Sequence, residues 1–239
     1  MKFLLAPSIA LFLAAPAMAA TVSVSGFSAS SYDAATGSMS KAVVQNFESY
    51  GEGNVDNGFA TNVGLFSSLG GTGSGGTVTG AGFANDGTKL ALRDGNVFGR
   101  VSTTRDLTGL SSDDMFLDSN DTHGIIWDVM LGAQRMFDRI VFTITDAAEF
   151  GNSMEITTPY GTTVISSAGG SKKRLIEIDF GMAISSAQIT LGHFSGSNPR
   201  TNDGFSIDDI AVNEVPLPAS ALLLLGGLGG LAALRRRKS

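Results

Sequence analysis

Apolar and polar residues alternate along four segments of the chain. The clearest alternation covers residues 21–25, 89–93, 139–145 and 174–180, where every second side chain is apolar. A period of two places successive side chains on opposite faces of an extended chain. Each segment therefore predicts a β-strand with one buried face.

Shorter apolar segments lie between these four and are separated by turn-forming residues. Less regular strand candidates cover residues 42–47, 77–79, 99–102, 124–130, 154–157, 162–165, 187–191 and 205–212. Gly, Pro, Asn and Asp cluster at 85–87, 94–96, 159–161 and 195–199, as they do in turns. No long apolar repeat at helical spacing occurs between residues 20 and 215. The pattern predicts an all-β domain with no helices, and we expect a single β-sandwich of the jelly-roll type.

The N-terminal residues have the three parts of a secretory signal peptide. Lys2 is followed by an apolar stretch at residues 3–13 and by the small-residue sequence Ala17-Met18-Ala19. This order predicts a signal peptide at residues 1–19 and a mature chain that begins at Ala20. An N-terminal membrane helix is disfavoured because the apolar stretch is too short. The predicted partners at this end are the export translocon and signal peptidase.

The C-terminal residues predict a sorting tail at residues 215–239. The tail contains Val215-Pro216-Leu217-Pro218-Ala219, an apolar segment at 220–234, and the basic cluster Arg235-Arg236-Arg237-Lys238. A helix over 219–234 would be about 24 Å long, which barely spans a hydrocarbon core of about 30 Å. The basic cluster should remain cytoplasmic, so residues 20–214 should form the domain on the other side of the membrane.

These three elements, in this order, resemble the VPLPA variant of the PEP-CTERM sorting signal. The resemblance implies transient anchoring in the inner membrane of a Gram-negative bacterium, followed by cleavage by an exosortase-like transpeptidase. It also implies delivery to the cell surface or the extracellular matrix. Pro216-Leu217-Pro218 replaces the commoner Pro-Glu-Pro, which bears on the identity of the cognate enzyme. A rhombosortase-type tail is the alternative, but there the Gly-Gly pair precedes the helix, whereas here both pairs lie within it.

The charge distribution limits the classes of partner. All 22 acidic residues lie between Asp33 and Glu214, whereas five of the 16 basic residues lie in the terminal segments. An acidic domain repels phosphate, which argues against a nucleic-acid partner. The chain has no cysteine, so an exported domain of this size must be stabilised by a hydrophobic core or by bound metal.

Acidic residues in one turn-rich segment are candidate calcium ligands. They are Asp113, Asp114, Asp118 and Asp121. Carboxylate oxygens at close spacing suit Ca²⁺, although the spacing does not match an EF-hand. The alternative is that these residues cap turns. Asp208 and Asp209 are further candidates. As neighbours in a strand they should point to opposite faces, so we expect one of them to face inward and to require a partner.

No catalytic motif is evident in the sequence. His123 and His193 lie in neither a zinc-protease pattern nor a serine-hydrolase elbow. A carboxylate pair for glycoside cleavage could come only from residues such as Glu149, Glu155 and Glu177.

Trp127, the only tryptophan, is a candidate sugar-stacking residue, but beside Ile125 and Ile126 a tryptophan more often belongs to the core. The segment 203–212 resembles the closing strand of jelly-roll lectin-like and carbohydrate-binding modules, which implies binding of polysaccharide. The sequence therefore predicts an exported surface or matrix protein that binds polysaccharide with calcium support. The alternatives are a structural matrix protein without a ligand and a glycan-active hydrolase.

Overall fold

A computed structural model describes most of the predicted domain. The described residues are 20–70, 88–97, 99–103, 114–120, 122–133, 135–147, 153–165, 172–195, 198–200 and 204–216. The predicted signal peptide at 1–19, the strand candidate at 77–79 and the tail beyond Pro216 lie outside these ranges.

The described residues form strands and one helix. The first half of the chain contains β1 (Thr21–Gly26), α1 (Ala29–Gly37), β2 (Ala42–Gln45), β3 (Gly53–Val55), β4 (Phe59–Thr61), β5 (Gly64–Ser68), β6 (Leu90–Arg93), β7 (Asn96–Val97), β8 (Arg100–Val101) and β9 (Phe116–Asp118). The second half contains β10 (Gly124–Val129), β11 (Met136–Thr145), β12 (Ser153–Thr158), β13 (Gly161–Ile165), β14 (Arg174–Ile184), β15 (Ala187–Ser195), β16 (Asn198–Arg200) and β17 (Ser206–Val215). The predicted all-β class is confirmed.

The strands form two large antiparallel sheets and a short hairpin. Sheet I has the order β1-β14-β11-β17-β9-β6-β3, and β2 also pairs with β17. Sheet II has the order β13-β12-β15-β10-β5-β4, and β16 also pairs with β15. Strands β7 and β8 form the hairpin. The four segments with the clearest alternation became β1, β6, β11 and β14, all of which belong to sheet I.

One hydrophobic core lies between the two sheets. The indole of Trp127 in sheet II stacks on Phe66, with ring centroids 5.3 Å apart, and meets the ring of Phe142 in sheet I edge-on at 6.0 Å. Every second residue of β14 from Ile176 to Phe180 also points into this core. Burial of apolar side chains from both sheets is the main source of stability in a chain without disulfides.

Helix α1 was not predicted, so the expectation that the domain has no helices is wrong. Ser28 caps the helix and exchanges hydrogen bonds with Ser31, so the backbone N–H groups of these two residues are satisfied. The helix buries only Tyr32 and Ala35, against Val141 and other apolar residues on the outer face of sheet I. Two apolar residues make too short a repeat to indicate a helix from sequence. Within the described residues, no helix is long and apolar enough to span a bilayer.

Strand β9 lies within the segment that was expected to be an acidic loop. Phe116, Leu117 and Asp118 are fully buried, and they pair with β6 on one side and with β17 on the other. The sequence pattern could not predict this short central strand, because its three residues are too few to establish a period of two and the residues around them are mostly polar.

Candidate functional site

The carboxylates of Asp208 and Asp209 both accept hydrogen bonds from Thr103, because β17 contains a bulge. The pairing of β17 with β11 shifts between Val141 and Thr143, and Asp209 has a φ of +48°. The backbone N–H of Thr103 donates to Asp208 Oδ2 at 3.2 Å, and its hydroxyl donates to Asp209 Oδ2 at 2.5 Å. A bulge adds a residue to one strand and redirects its side chains. The prediction that the two aspartates point to opposite faces is therefore wrong.

The carboxylate pair is buried among hydroxyl groups. The Ser102 hydroxyl donates to Asp208 Oδ2 at 2.6 Å, and the Thr143 hydroxyl donates to the backbone oxygen of Asp208 at 2.9 Å. Burial, and then the charge of Asp209, raise the pKa of Asp208 well above its ordinary value. The hydrogen bonds from Ser102 and Thr103 favour the ionised form but are the smaller effect. The environment therefore favours the protonated form of Asp208.

Helix α1 places Tyr32 close enough to Asp208 and Asp209 for their negative charges to affect the pKa of its phenol. Burial raises the pKa of the Tyr32 phenol, and the charges of Asp209 and Asp208 raise it further. The phenol therefore remains neutral. The hydrogen bonds of Ser102 and Thr103 to the two aspartates join residues 102–103 to β17, which is a structural role.

Asp118 lies in a second buried polar cluster, together with two arginines. Its carboxylate accepts from Arg93 Nε at 2.7 Å and from the backbone N–H of Asn120 at 2.7 Å. Arg100 Nε lies 3.3 Å from the other side of the carboxylate as an ion contact. All three charged side chains are almost completely buried. A cation at Asp118 would have to displace an arginine, so this geometry favours a structural role over calcium binding.

The predicted metal ligands that lie within the described residues do not form one metal site. Asp114 precedes β9, and Asp118 and Asp208 have the separate partners described above. Among the described residues, no three Asp, Glu or His side chains are close enough to share a metal ion. Asp113 and Asp121 lie outside the described residues.

Sequence reasoning missed the arginines that accompany Asp118. Arg93 ends a strand whose alternation suggested an exposed position, yet its side chain is fully buried. Arg100 follows a turn segment and carries no sequence signal of burial. Only the pairing of β6 with β9, which brings Arg93 next to Asp118, reveals this cluster.

Trp127 is a core residue and offers no ring face to a sugar. Its side chain is fully buried, and its indole N–H donates to the backbone oxygen of Val63 at 3.2 Å. One face of the indole stacks on Phe66, and the ring of Phe142 meets the indole edge-on. The structure therefore contradicts the candidate role of Trp127 as a stacking platform.

The outward face of sheet II carries a mixed polar and apolar surface. The side chains on it are half-buried or exposed and belong to Leu65, Ser67, Ile126, Asp128, Glu155, Thr157, Thr162, Val164, Gln188 and Thr190. Gln188 donates to Asp128 at 2.8 Å, and the hydroxyls of Thr157 and Thr162 lie 3.1 Å apart. Sugars present C–H surfaces beside hydroxyl groups, and this face offers partners for both.

The two candidate carboxylates for glycoside cleavage that the structure describes, Glu155 and Glu177, do not form a pair. Glu155 lies on the outward face of sheet II, whereas Glu177 lies on the outward face of sheet I and binds Arg139. Glu149 is outside the described residues. Retaining and inverting glycosidases need two carboxyl groups within about 10 Å of each other, one on each side of the scissile bond. Glu155 and Glu177 cannot meet this requirement across the core.

Both ends of the domain lie at the same end of sheet I. Thr21 opposes Asp179, Asp179 opposes Arg139, and Arg139 opposes Asn213, so these residues form one row across four strands. Three strand spacings of about 4.8 Å place Thr21 about 14 Å from Asn213, which lies two residues before the end of β17. Val215, the first residue of the predicted sorting motif, is the last residue of β17, and Pro216 after it is exposed. Leu217, Pro218, Ala219 and residues 220–239 lie outside the described residues.

Comparison with models of known protein families finds no match, and comparison with curated proteins finds no significant match.

Proposed function

We propose that the chain is an exported protein that is anchored transiently in the inner membrane and is then delivered to the cell surface or extracellular matrix. The observation that carries the proposal is the position of the two ends of the described domain, Thr21 and Val215. The folded strands begin at Thr21, next to the predicted signal-peptide cleavage site, and end at Val215, where the predicted sorting motif starts. Both ends lie at one end of sheet I, so the predicted signal peptide and the predicted tail helix can occupy the same membrane.

We further propose that the domain binds extracellular polysaccharide through the outward face of sheet II. Two antiparallel sheets over one core are compatible with a jelly-roll arrangement. The outward face of sheet II supplies hydroxyl, amide and carboxylate groups beside Leu65, Ile126 and Val164. A structural matrix protein without a ligand is the alternative, and a binding assay separates the two.

The sorting part of the proposal is tested by Pro216→Ala combined with Pro218→Ala in the native host. Pro199→Ala is a matched control, since Pro199 lies on β16, which pairs with β15 in sheet II and is not part of the tail. We expect the double variant to accumulate uncleaved in the inner membrane, while the control is processed normally. Normal surface delivery of the double variant, with normal loss of the tail, would contradict the proposal.

The polysaccharide part is tested with the host's own extracellular polysaccharide and the mature protein. Gln188→Ala combined with Thr190→Ala removes two polar groups from the outward face of sheet II, and Val44→Ala on β2 of sheet I is the control. We expect the sheet II variant to bind more weakly and the control to bind normally. No binding by the parent protein would favour the structural alternative. Release of reducing ends that Glu155→Gln abolishes would favour a hydrolase.

A further inference from the structure

Three large apolar side chains are exposed at the end of the domain where the chain enters and leaves. Met130, Tyr160 and Met182 are 41%, 38% and 47% exposed. Isolated exposed apolar residues are common, but a cluster at one end of a domain indicates a contact surface.

Contacts between these residues and the chain ends establish their common location. Tyr160 lies in the turn between β12 and β13, and its ring is 6.0 Å from the ring of Phe180. The ring of Phe180 is 5.7 Å from that of Phe137, and Phe137 opposes Glu214 at the end of β17. Two ring contacts therefore connect Tyr160 to the point where the chain leaves sheet I.

The two methionines adjoin this aromatic series. Met130 and Pro159 line the same surface cavity of about 400 Å³, so Met130 lies beside the turn that holds Tyr160. Met182 follows Phe180 by two residues on β14. We name the surface formed by Met130, Pro159, Tyr160 and Met182 the apolar end.

Two basic side chains lie beside the exit of the chain at the same end, where Asp138 also accepts a hydrogen bond from Asn213. Lys41 and Arg135 both bind Glu214, at 2.9 Å each. Their side chains are 65% and 38% exposed, whereas that of Glu214 is 14% exposed, so the cations face solvent and the acid is recessed. Apolar and aromatic side chains next to exposed cations are the composition of a surface that lies at a lipid interface.

We propose that the apolar end is a membrane-contact surface, which rests against the lipid headgroups while the tail is still uncleaved. This inference rests on the proposed anchoring of the chain. Only three residues separate Pro216 from the predicted membrane segment at 220–234, so the end of β17 is held close to the bilayer. The tether keeps the apolar end at a high effective concentration near the lipid surface, so even a weak contact forms. Cleavage of the tail removes this tether. The contact therefore orients sheet II and the sorting motif before cleavage and is released with the mature protein.

The test uses the chain with its tail, reconstituted in vesicles of phosphatidylethanolamine and phosphatidylglycerol, with and without brominated phosphatidylcholine as a quencher. Tyr160→Trp places an indole on the apolar end, while Trp127 in the core provides an internal reference. Val164→Trp is the control, because Val164 is 53% exposed but lies further along β13, on the outward face of sheet II. Met182→Trp is a second reporter in case Tyr160→Trp does not fold.

We expect brominated lipid to remove the emission that Tyr160→Trp and Met182→Trp add to the parent, and to leave that of Val164→Trp unchanged. Flotation with the vesicles checks the anchoring separately. A chain that floats but whose apolar-end reporters are no more quenched than Val164→Trp would overturn this inference alone. A chain that does not float would overturn the proposed anchoring, and this inference with it.

Discussion

Replacing Gly204 with Ala should strongly destabilise the domain, because the added methyl group would occupy the position of a buried arginine. A Cβ at Gly204 would lie 1.7 Å from Arg100 Nη1 and 3.0 Å from the backbone oxygen of Asn120. An arginine tip can usually move aside, but the side chain of Arg100 is only 4% exposed. The guanidinium must therefore move within the buried cluster in which it contacts Asp118.

The size of the effect follows from the distances. Ordinary contact between two such atoms needs about 3.5 Å, so the guanidinium must retreat by about 1.8 Å. Arg100 Nε already lies 3.3 Å from Asp118 Oδ1, so this movement breaks the ion contact. Removing one partner from a buried ion pair costs about 3–5 kcal/mol. Asp118 keeps Arg93 and the N–H of Asn120, so we expect the lower value, about 3 kcal/mol.

The assay is chemical or thermal unfolding of the mature protein, followed by the fluorescence of the buried Trp127. A loss of about 3 kcal/mol corresponds to a decrease of about 6–12 °C in the unfolding midpoint for a domain of this size. Gly51→Ala is the control: a Cβ there would meet no atom within 4 Å, and the substitution should be neutral or slightly stabilising. In a variant that already carries Arg100→Met, Gly204→Ala should lower the free energy of unfolding by much less. An equal cost in both backgrounds would refute the steric argument.

Trp127→Ala is expected to lower the free energy of unfolding by about 3–5 kcal/mol in urea titrations followed by circular dichroism, because it leaves a large cavity between the sheets. A cost below about 1 kcal/mol would mean that Trp127 does not fill the core as described. Calcium and chelator are expected to give the same thermal midpoint, since Asp118 is bound to two arginines and Asp208 to hydroxyl and amide donors. A midpoint that rises with calcium concentration would indicate a site that includes carboxylates outside the described residues, such as Asp113 and Asp121.

Local alternation was sufficient to predict the strands whose inward face is apolar and whose outward face is polar. Residues 21–25 and 174–180 follow this rule, and they became β1 and β14 with one face in the core. Strand β17 is buried on both faces over most of its length, because it lies within sheet I and has α1 near its outer face. Its mixed sequence therefore indicated a strand but not its complete burial.

The polar clusters could not be predicted, since they depend on pairing between distant segments. Arg93 reaches Asp118 only because β6 lies next to β9, and no local pattern encodes that neighbour. The convergence of Asp208 and Asp209 depends on one bulge residue with a left-handed backbone, a conformation that aspartate adopts more readily than most residues. Sequence reasoning identified both aspartates as unusual but assumed a regular strand, and this assumption caused the error about their faces.

The pH dependence of stability tests the description of the Asp208 site. Burial and the charge of Asp209 raise the pKa of Asp208 in the native state, so the native protein binds this proton more tightly than the unfolded chain does. The stabilisation is therefore fully present below the ordinary pKa of an aspartate. It is lost as the pH rises from that value through the raised native pKa.

Asp208→Asn separates this effect from the hydrogen bonds of the site. The amide oxygen can still accept from Ser102 and from the N–H of Thr103, but the side chain stays neutral at every pH. We expect the variant to be more stable than the parent by on the order of 1 kcal/mol above neutral pH, and to match the parent near pH 4. Asp179→Asn removes the same charge from an exposed position on β14 and controls for the effect of net charge. If Asp208→Asn were instead less stable at high pH, the ionised carboxylate would be the stabilising form. The hydrogen bonds from Ser102 and Thr103 would then outweigh the cost of burial.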